Sequence, residues 1–222
     1  MIHLFADSHY GAHSGRELWR HLSVSWRERI VFHEDDLPLL ESGKWLEDCE
    51  LLALHFIGGA EGAPLPGEGA CAAVRRWCES GGSLLLLHGG SAAFWHCDWW
   101  RRLMSLRWVR PGDPDGVTPS FHPIHPYRVT PVAGCAHPLA KQLVPMALPE
   151  DEIYAGLQAA PTLQVLMETT IPEGRFPQCA LDATPWGGRQ LHFLPGHAPE
   201  TLAVPELVQN VQSCLKYLVA SH

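Results

Sequence analysis

The residues best suited to chemistry in this chain are histidines at the ends of apolar runs. Leu84–Leu87 form a continuous apolar segment bracketed by Gly81-Gly82 and Gly89-Gly90, with His88 at its tip. Such a run reads as a buried parallel strand, and in open α/β sheets ligands bind at the carboxyl ends of parallel strands. His88 is therefore expected at the mouth of a crevice, as a working imidazole or as a ring satisfied by a carbonyl in a tight turn. Leu191–Leu194 repeats the pattern, with Pro195-Gly196-His197 at its end. If both strands belong to one parallel sheet, His88 and His197 approach each other across its edge, where a nucleophile and a base can meet. His192, inside the second strand, reads as a core residue. Ser91 lies three residues beyond the tip, which argues against it as a nucleophile.

The elements that must position these rings are legible in the apolar periodicity. Ile2–Phe5, Ile30–Phe32 and the longer run Leu51–Ile57 predict strands, with an amphipathic stretch from Arg16 to Trp26 between the first two. A helix is expected over about Glu68–Glu79, with Ala70, Val74 and Trp77 on one side and Gly81-Gly82 stopping it. Strand and helix alternate through the first ninety residues. That alternation predicts a doubly wound, mostly parallel α/β sheet with helices on both faces. From about 110 to 126 the prolines and glycines predict a long surface loop. Tyr127–Val132, Thr162–Glu168, Cys179–Asp182 and Gln190–Leu194 then read as strands. Pro205 opens a helix whose Leu207, Val208, Val211, Leu215 and Leu218 form a stripe for docking on the sheet.

Bulk composition excludes several classes of function. The 222 residues carry 16 Lys plus Arg against 24 Asp plus Glu, a net charge of −8, so no basic field favours nucleic acid. No apolar run approaches membrane-spanning length and the first residues lack a signal-peptide pattern, so a cytoplasmic protein of one domain, without a membrane partner, is expected. The seven cysteines include no Cys-x-x-Cys pair, which favours reduced structural thiols over disulfides or a thiolate zinc site. Cys71 and Cys78 read as small core residues.

Four short motifs occur in order: Gly81-Gly82 through His88-Gly89, His137-Pro138-Leu139, Asp151-Glu152-Ile153-Tyr154, and Trp186-Gly187-Gly188-Arg189 followed by a strand and Gly196-His197. Together they resemble the ThuA-like, or trehalose-utilization, proteins of the class I glutamine amidotransferase-like superfamily, over nearly the whole chain. The resemblance implies a flavodoxin-like three-layer fold. It also exposes a departure: where amidotransferases carry a cysteine nucleophile in a Gly-x-Cys-x-Gly elbow, this chain has His88, and their later His-Pro-Glu survives only as His197-Ala198-Pro199-Glu200. An imidazole cannot form a thioester intermediate, so amidotransferase activity is expected to be absent.

The resemblance gathers His88, His197, Asp151 and Glu152 as catalytic candidates, with His9 or His13 beside them, and implies metabolism of trehalose or a related keto-disaccharide. Histidines and carboxylates suit a divalent metal, zinc foremost, with His88 and His197 as ligands. The competing reading has the two histidines merely bonding one another's loops. A metal or protonated histidine (His88) would polarise a keto oxygen, while His197 or Glu152 acts as acid, base or ligand in a hydrolytic, eliminative or isomerising step. Trp95, Tyr154, His9 and His125 are the substrate-binding candidates. Trp95 offers a stacking face for a small sugar and His125, with His122 and Tyr127, a lid, whereas Trp99 and Trp100 read as core anchors. The rival to an enzyme is a non-catalytic sugar- or metabolite-binding module on the same fold, and the tryptophans are compatible with a homodimer surface.

Overall fold

The computed structural model describes residues 1–61 and 63–220. Its centre is a nine-stranded sheet built in two halves. The first consists of β1 (Ile2–Ala6), β2 (Ile30–Glu34), β3 (Leu51–His55) and β4 (Leu84–Leu87), in the order β2-β1-β3-β4 and all parallel. Between them run α1 (Ser14–His21), α2 (Val24–Arg27), α3 (Leu37–Ser42) and α4 (Glu68–Glu79). After β4 come α5 (Asp98–Leu103) and the short β5 (Leu106–Arg107). The second half holds β6 (Ile124–Pro131), β7 (Met146–Glu152), β9 (Gln164–Ile171), β10 (Gly174–Ala183) and β11 (Arg189–Phe193), while β8 (Gln158–Ala159) pairs only with β5. The chain closes with α6 (Pro199–Leu202) and α7 (Pro205–Val219).

The β4 run shows why a fully apolar strand forms here. Leu84 and Leu86 pack on one face with Trp77 of α4 and Trp100 of α5, and Leu85 and Leu87 on the other with Val211 and Leu215 of α7. Alternate side chains of a strand point to opposite faces, so a strand covered on both must be apolar at every position. The doubly wound α/β expectation holds, with helices on both faces. The helix over Glu68–Glu79 and the α7 stripe also stand where periodicity put them, although Val208 is only half-buried. The stretch Arg16–Trp26 is two short helices, because Leu22 and Ser23 are extended between them.

The half-sheet beyond β4 is where the sequence reading falls short. β11 lies parallel to β4, with Phe193 opposite Leu87, but β10, β9, β6 and β7 follow antiparallel. β7 was unforeseen; β6 begins at Ile124, inside the stretch expected to be loop. Pro126 fits within β6 because the β6–β7 pairing slips between His125 and Tyr127, and a bulge tolerates a residue with no N–H to donate. Among the described residues, no helix is long and apolar enough to cross a membrane.

Candidate functional site

The strand order β2-β1-β3-β4 places a switch point between β1 and β3, the position at which open sheets gather ligands. Around it the chain leaves β1 at Asp7, β3 at His55 and Ile57, β4 at His88 and β11 at Leu194. A cavity of about 300 Å3 opens there, walled by His9, Tyr10, Trp108, Glu152, Tyr154 and His197 among others.

His88 sits at the tip of β4 in the left-handed region, φ 47°, which is uncommon for a residue other than glycine. The turn is tight because a Cβ on Gly89 would lie 1.9 Å from Ile57 Cγ2 and 3.2 Å from the Tyr154 hydroxyl. Gly89→Ala should therefore cost about 1–3 kcal/mol and push two cavity-wall residues, read as a lower midpoint in urea unfolding. The His88 ring folds back under the sheet edge. Its Nδ1–H donates to the Leu194 carbonyl at 3.0 Å, fastening the β4 turn to the end of β11, and its Nε2 lies 3.4 Å from Glu152 Oε2.

His88 and His197 do converge, with ring centroids 5.2 Å apart and planes inclined by 24°. His9 also stacks on His197, with ring centroids 5.4 Å apart and planes inclined by 28°. The three are not equivalent. His9 and His197 line the cavity; His88, 1% exposed, does not, and faces Glu152 from behind. His88, expected to meet substrate, is thus placed behind the cavity wall, with its Nε2 turned toward Glu152. The reason is the positive φ, which turns the ring beneath the rim.

Glu152, near the end of β7, is the hub. Its Oε1 lies 3.8 Å from His122 Nδ1 and 4.0 Å from His197 Nδ1, and its Oε2 faces His88. Burial pushes this carboxyl up, but His88, His197 and His122 outweigh it and hold the pKa at about 2. His197 moves the other way: burial first, then the neighbouring His88 charge, lower its pKa against the pull of Glu152. At neutral pH the site therefore pairs an ionised carboxylate with a neutral imidazole, whose Nε2 is buried without a hydrogen-bond partner.

Asp151 is not part of that exchange. It is 2% exposed, and its two carboxylate oxygens accept from the backbone N–H groups of His197, at 3.1 Å, and Ala198, at 2.9 Å. Both oxygens of this expected catalytic residue are committed to the loop that presents His197. Asp151→Ala should cost about 3 kcal/mol, because two charge-assisted bonds are lost and two N–H groups stranded; thermal unfolding of the variant measures it.

Of the binding candidates, Tyr154 and His9 line the cavity, Trp95 and His125 do not. Trp95 donates Nε1–H to the Gly58 carbonyl at 3.3 Å and lies under the Arg110 guanidinium, 5.0 Å from ring centre to Cζ. The His125 Nδ1–H closes on the carbonyl of its own neighbour Pro126 at 2.9 Å. His122, in the segment just before β6, lines the cavity where His125 was expected to. His13 caps α1 and bonds Glu34 at 3.0 Å, outside the cavity wall.

Three residues the sequence reading missed complete the wall or hold it. Asp7 receives the Nδ1–H of His9 on Oδ1 and the N–H groups of Ile57 and Gly58 on Oδ2, at 3.0 and 3.4 Å, tying β1 to β3 and orienting the His9 ring. Trp108 packs against Tyr154, ring centroids 4.2 Å apart and planes tilted by 34°. Arg110 bonds the Ile57 and Gly58 carbonyls at 2.6 and 2.8 Å, and its Nε is buried without a partner. The signal for Asp7 was present, as a carboxylate directly after the first parallel strand with a histidine two residues on. Ser91 is spent on structure, its Oγ accepting from the Trp108 N–H at 3.0 Å.

A divalent metal was expected on His88 and His197. Their two Nε2 atoms are buried and unpartnered, a suitable donor chemistry beside Glu152. The atoms do not converge, however: among the described residues the one group of three such donors within 4.8 Å of one another is Cys71, His96 and Cys97, elsewhere in the fold. A catalytic zinc needs about three ligands on a common centre, so these residues as arranged do not fit one.

The doubly wound sheet, with a histidine at the tip of β4, defines a flavodoxin-like α/β fold. Within that class the chain belongs to the ThuA (trehalose utilisation) family, whose model matches residues 9–218. A ThuA-like protein from Parabacteroides merdae superposes with a TM-score of 0.73 at 16% identity, covering 99% of this chain and 90% of the other. A cytoplasmic protein from Salmonella typhimurium reaches 0.65 at 14% identity, covering 98% and 99%. A β-galactosidase from Bacillus circulans reaches 0.57 at 10% identity, covering 97% of this chain but 31% of that enzyme. At such identities these likenesses establish the fold alone. No curated protein matches the chain.

Proposed function

We propose that this protein is an acid–base enzyme acting on a keto-sugar glycoside, with His197 as the base and Glu152 as the carboxylate that stabilises it once charged. The observation that carries the reading is the pairing of a neutral, cavity-facing imidazole with an ionised Glu152 4.0 Å away. A proton taken on His197 Nδ1, the ring nitrogen nearer Glu152 and not the buried Nε2, makes an imidazolium next to a fixed negative charge, so the stabilisation appears as the proton moves. His88 and His122 keep Glu152 ionised and aimed. Asp7 plays the corresponding part for His9, which lines the same cavity.

The substrate class follows from the walls and from the family. Tyr10, Trp108 and Tyr154 give apolar faces for a sugar ring, and the polar atoms between them suit hydroxyl groups. The cavity, at about 300 Å3, accommodates one hexose. A second, more open groove of about 490 Å3 shares Glu152 and His197 with it. A disaccharide with one ring in each would lay its inter-ring bond over those two side chains. A ketone in the first ring acidifies the neighbouring C–H, and His197 removes that proton. The electron pair moves onto the keto oxygen, which the positive Arg110 at the wall stabilises. Collapse of the enolate then expels the glycosidic oxygen, protonated by the imidazolium, or returns the proton to carbon as an isomerisation. No step passes through a metal.

Incubation in deuterated water with keto and unmodified disaccharides tests this. The expected result is deuterium at the carbon next to the ketone, with thermal stabilisation by the same compound and none of the exchange in His197→Ala. Stabilisation by sugars without exchange or bond cleavage would instead make the chain a binding module.

A further inference from the structure

Outside the candidate site, Cys71, His96 and Cys97 bring a sulfur, an imidazole nitrogen and a second sulfur within 4.8 Å of one another. Cys71 lies on the inner side of α4, and His96-Cys97 on the turn that leads into α5, so the group joins two elements 25 residues apart in sequence. Cys71 Sγ and His96 Nε2 are 3.4 Å apart. A tetrahedral zinc ion, with Zn–S of about 2.3 Å and Zn–N of about 2.0–2.1 Å, sets its sulfur and nitrogen ligands about 3.5 Å apart. Cys71 and His96 therefore already span one edge of a coordination tetrahedron, the Cys97 sulfur lies within 4.8 Å of both, and neither sulfur is engaged in a disulfide.

The group is also accessible. Cys71, His96 and Cys97 line a groove of about 390 Å3 together with Glu68, Arg75 and Trp99. Glu68 precedes Cys71 by three residues, which on a helix puts both on the same side. A carboxylate or a water is thus at hand for a fourth position. We infer that Cys71, Cys97 and His96 form a binding site for a zinc-class divalent cation, with Glu68 or water completing four-coordination. Two thiolates and an imidazole select soft or borderline ions over magnesium or calcium. The sequence offers no Cys-x-x-Cys signature because the two sulfurs come from different elements.

The role of such an ion would be mechanical. It clamps α4 to the segment descending from the His88 turn, in which Trp95, next to His96, supports Arg110 at 5.0 Å. No residue is shared with the cavity that holds Glu152 and His197, so this site stands or falls independently of the proposed chemistry.

Cobalt(II) titrated into the reduced, metal-stripped full chain tests the inference. One equivalent should bind with thiolate-to-cobalt charge-transfer absorption and tetrahedral d–d bands, and zinc should displace it. Zinc at roughly 100 times its Kd should raise Tm by about 5–10 °C. Cys97→Ser and Cys71→Ser should each abolish the charge-transfer band, while Glu152→Gln leaves it intact. Position 97 is half-buried, so Cys97→Ser carries the test if serine at 71 prevents folding. Absence of the charge-transfer band in the reduced protein, or its persistence in the folded Cys97→Ser variant, overturns the site.

Discussion

His197→Ala should lower turnover of a keto-disaccharide by about 10²–10⁴-fold, the range a positioned general base supplies. The loss belongs in kcat more than in KM, because the ring's contribution appears only as it takes the proton. Glu152→Gln should fall in the same range for a different reason. Its carboxylate is the charge that offsets the developing imidazolium, and glutamine keeps the shape while removing the charge. The two variants separate in their pH profiles. Burial and the charge of His88 hold His197 below its usual pKa, so the wild-type acid limb of kcat/KM should fall below the ordinary histidine value. Glu152 is among the groups that raise the His197 pKa. Removing its charge should move the acid limb lower still, so that Glu152→Gln is slower at pH 7 yet keeps its residual rate to more acidic pH. Steady-state rates across pH 4–8 measure both effects. An acid limb that Glu152→Gln leaves in place, or moves upward, would remove Glu152 from contact with the base.

What the sequence revealed and what it hid divides along physical lines. β4 was readable because it is covered on both faces, which leaves an unbroken apolar run between glycines, and β11 because Leu191 and Phe193 lead into Leu194-Pro195-Gly196. β7 was not, although it brings Asp151 and Glu152. It is the last strand of the sheet, and its Pro149-Glu150-Asp151-Glu152 stretch looks like a loop in composition. Only alternation betrays it, with Met146, Leu148 and Asp151 buried between more exposed neighbours. The convergence of His88 and His197 followed from strand pairing, but which ring would face the cavity did not. That depends on a backbone dihedral at position 88, set by Gly89 packed against Ile57. Trp95 and His125 were chosen for residue type and nearness to the site along the chain. Side-chain direction, invisible at that level, gave their places to Trp108 and His122.

The second large effect is on stability, and it comes from histidines with no part in the chemistry. His192 is fully buried within β11, where burial takes its pKa down to about 3, and its Nδ1 has no hydrogen-bond partner. His55, 2% exposed at the end of β3, is likewise at about 3, through burial and the charges of His88 and His9. Both are neutral in the fold and must stay so. In the unfolded chain each takes up a proton near pH 6.5. The contribution to stability is therefore complete above about pH 6.5 and is lost as pH falls from there toward 3. By linkage, lowering the pH from 7 to 5 removes about 2 kcal/mol for each ring, or about 4 kcal/mol together. Glu152 adds nothing in that interval, since its lowered pKa affects stability only below the usual carboxylate value. Against a typical total of about 5–15 kcal/mol, such a loss removes about a quarter to four-fifths of the stability by pH 5. Urea unfolding at pH 7 and pH 5 should show it as a marked fall in midpoint. His192→Gln cannot take up the proton and offers an amide near the position of Nε2, which lies 3.4 Å from the Ser105 hydroxyl. Its stability difference between the two pH values should shrink by about 2 kcal/mol, whatever its absolute stability at pH 7. If the difference were unchanged in this variant, the acid sensitivity would have to lie in other groups, and the neutral state of the β11 ring would not be what maintains the sheet in mild acid.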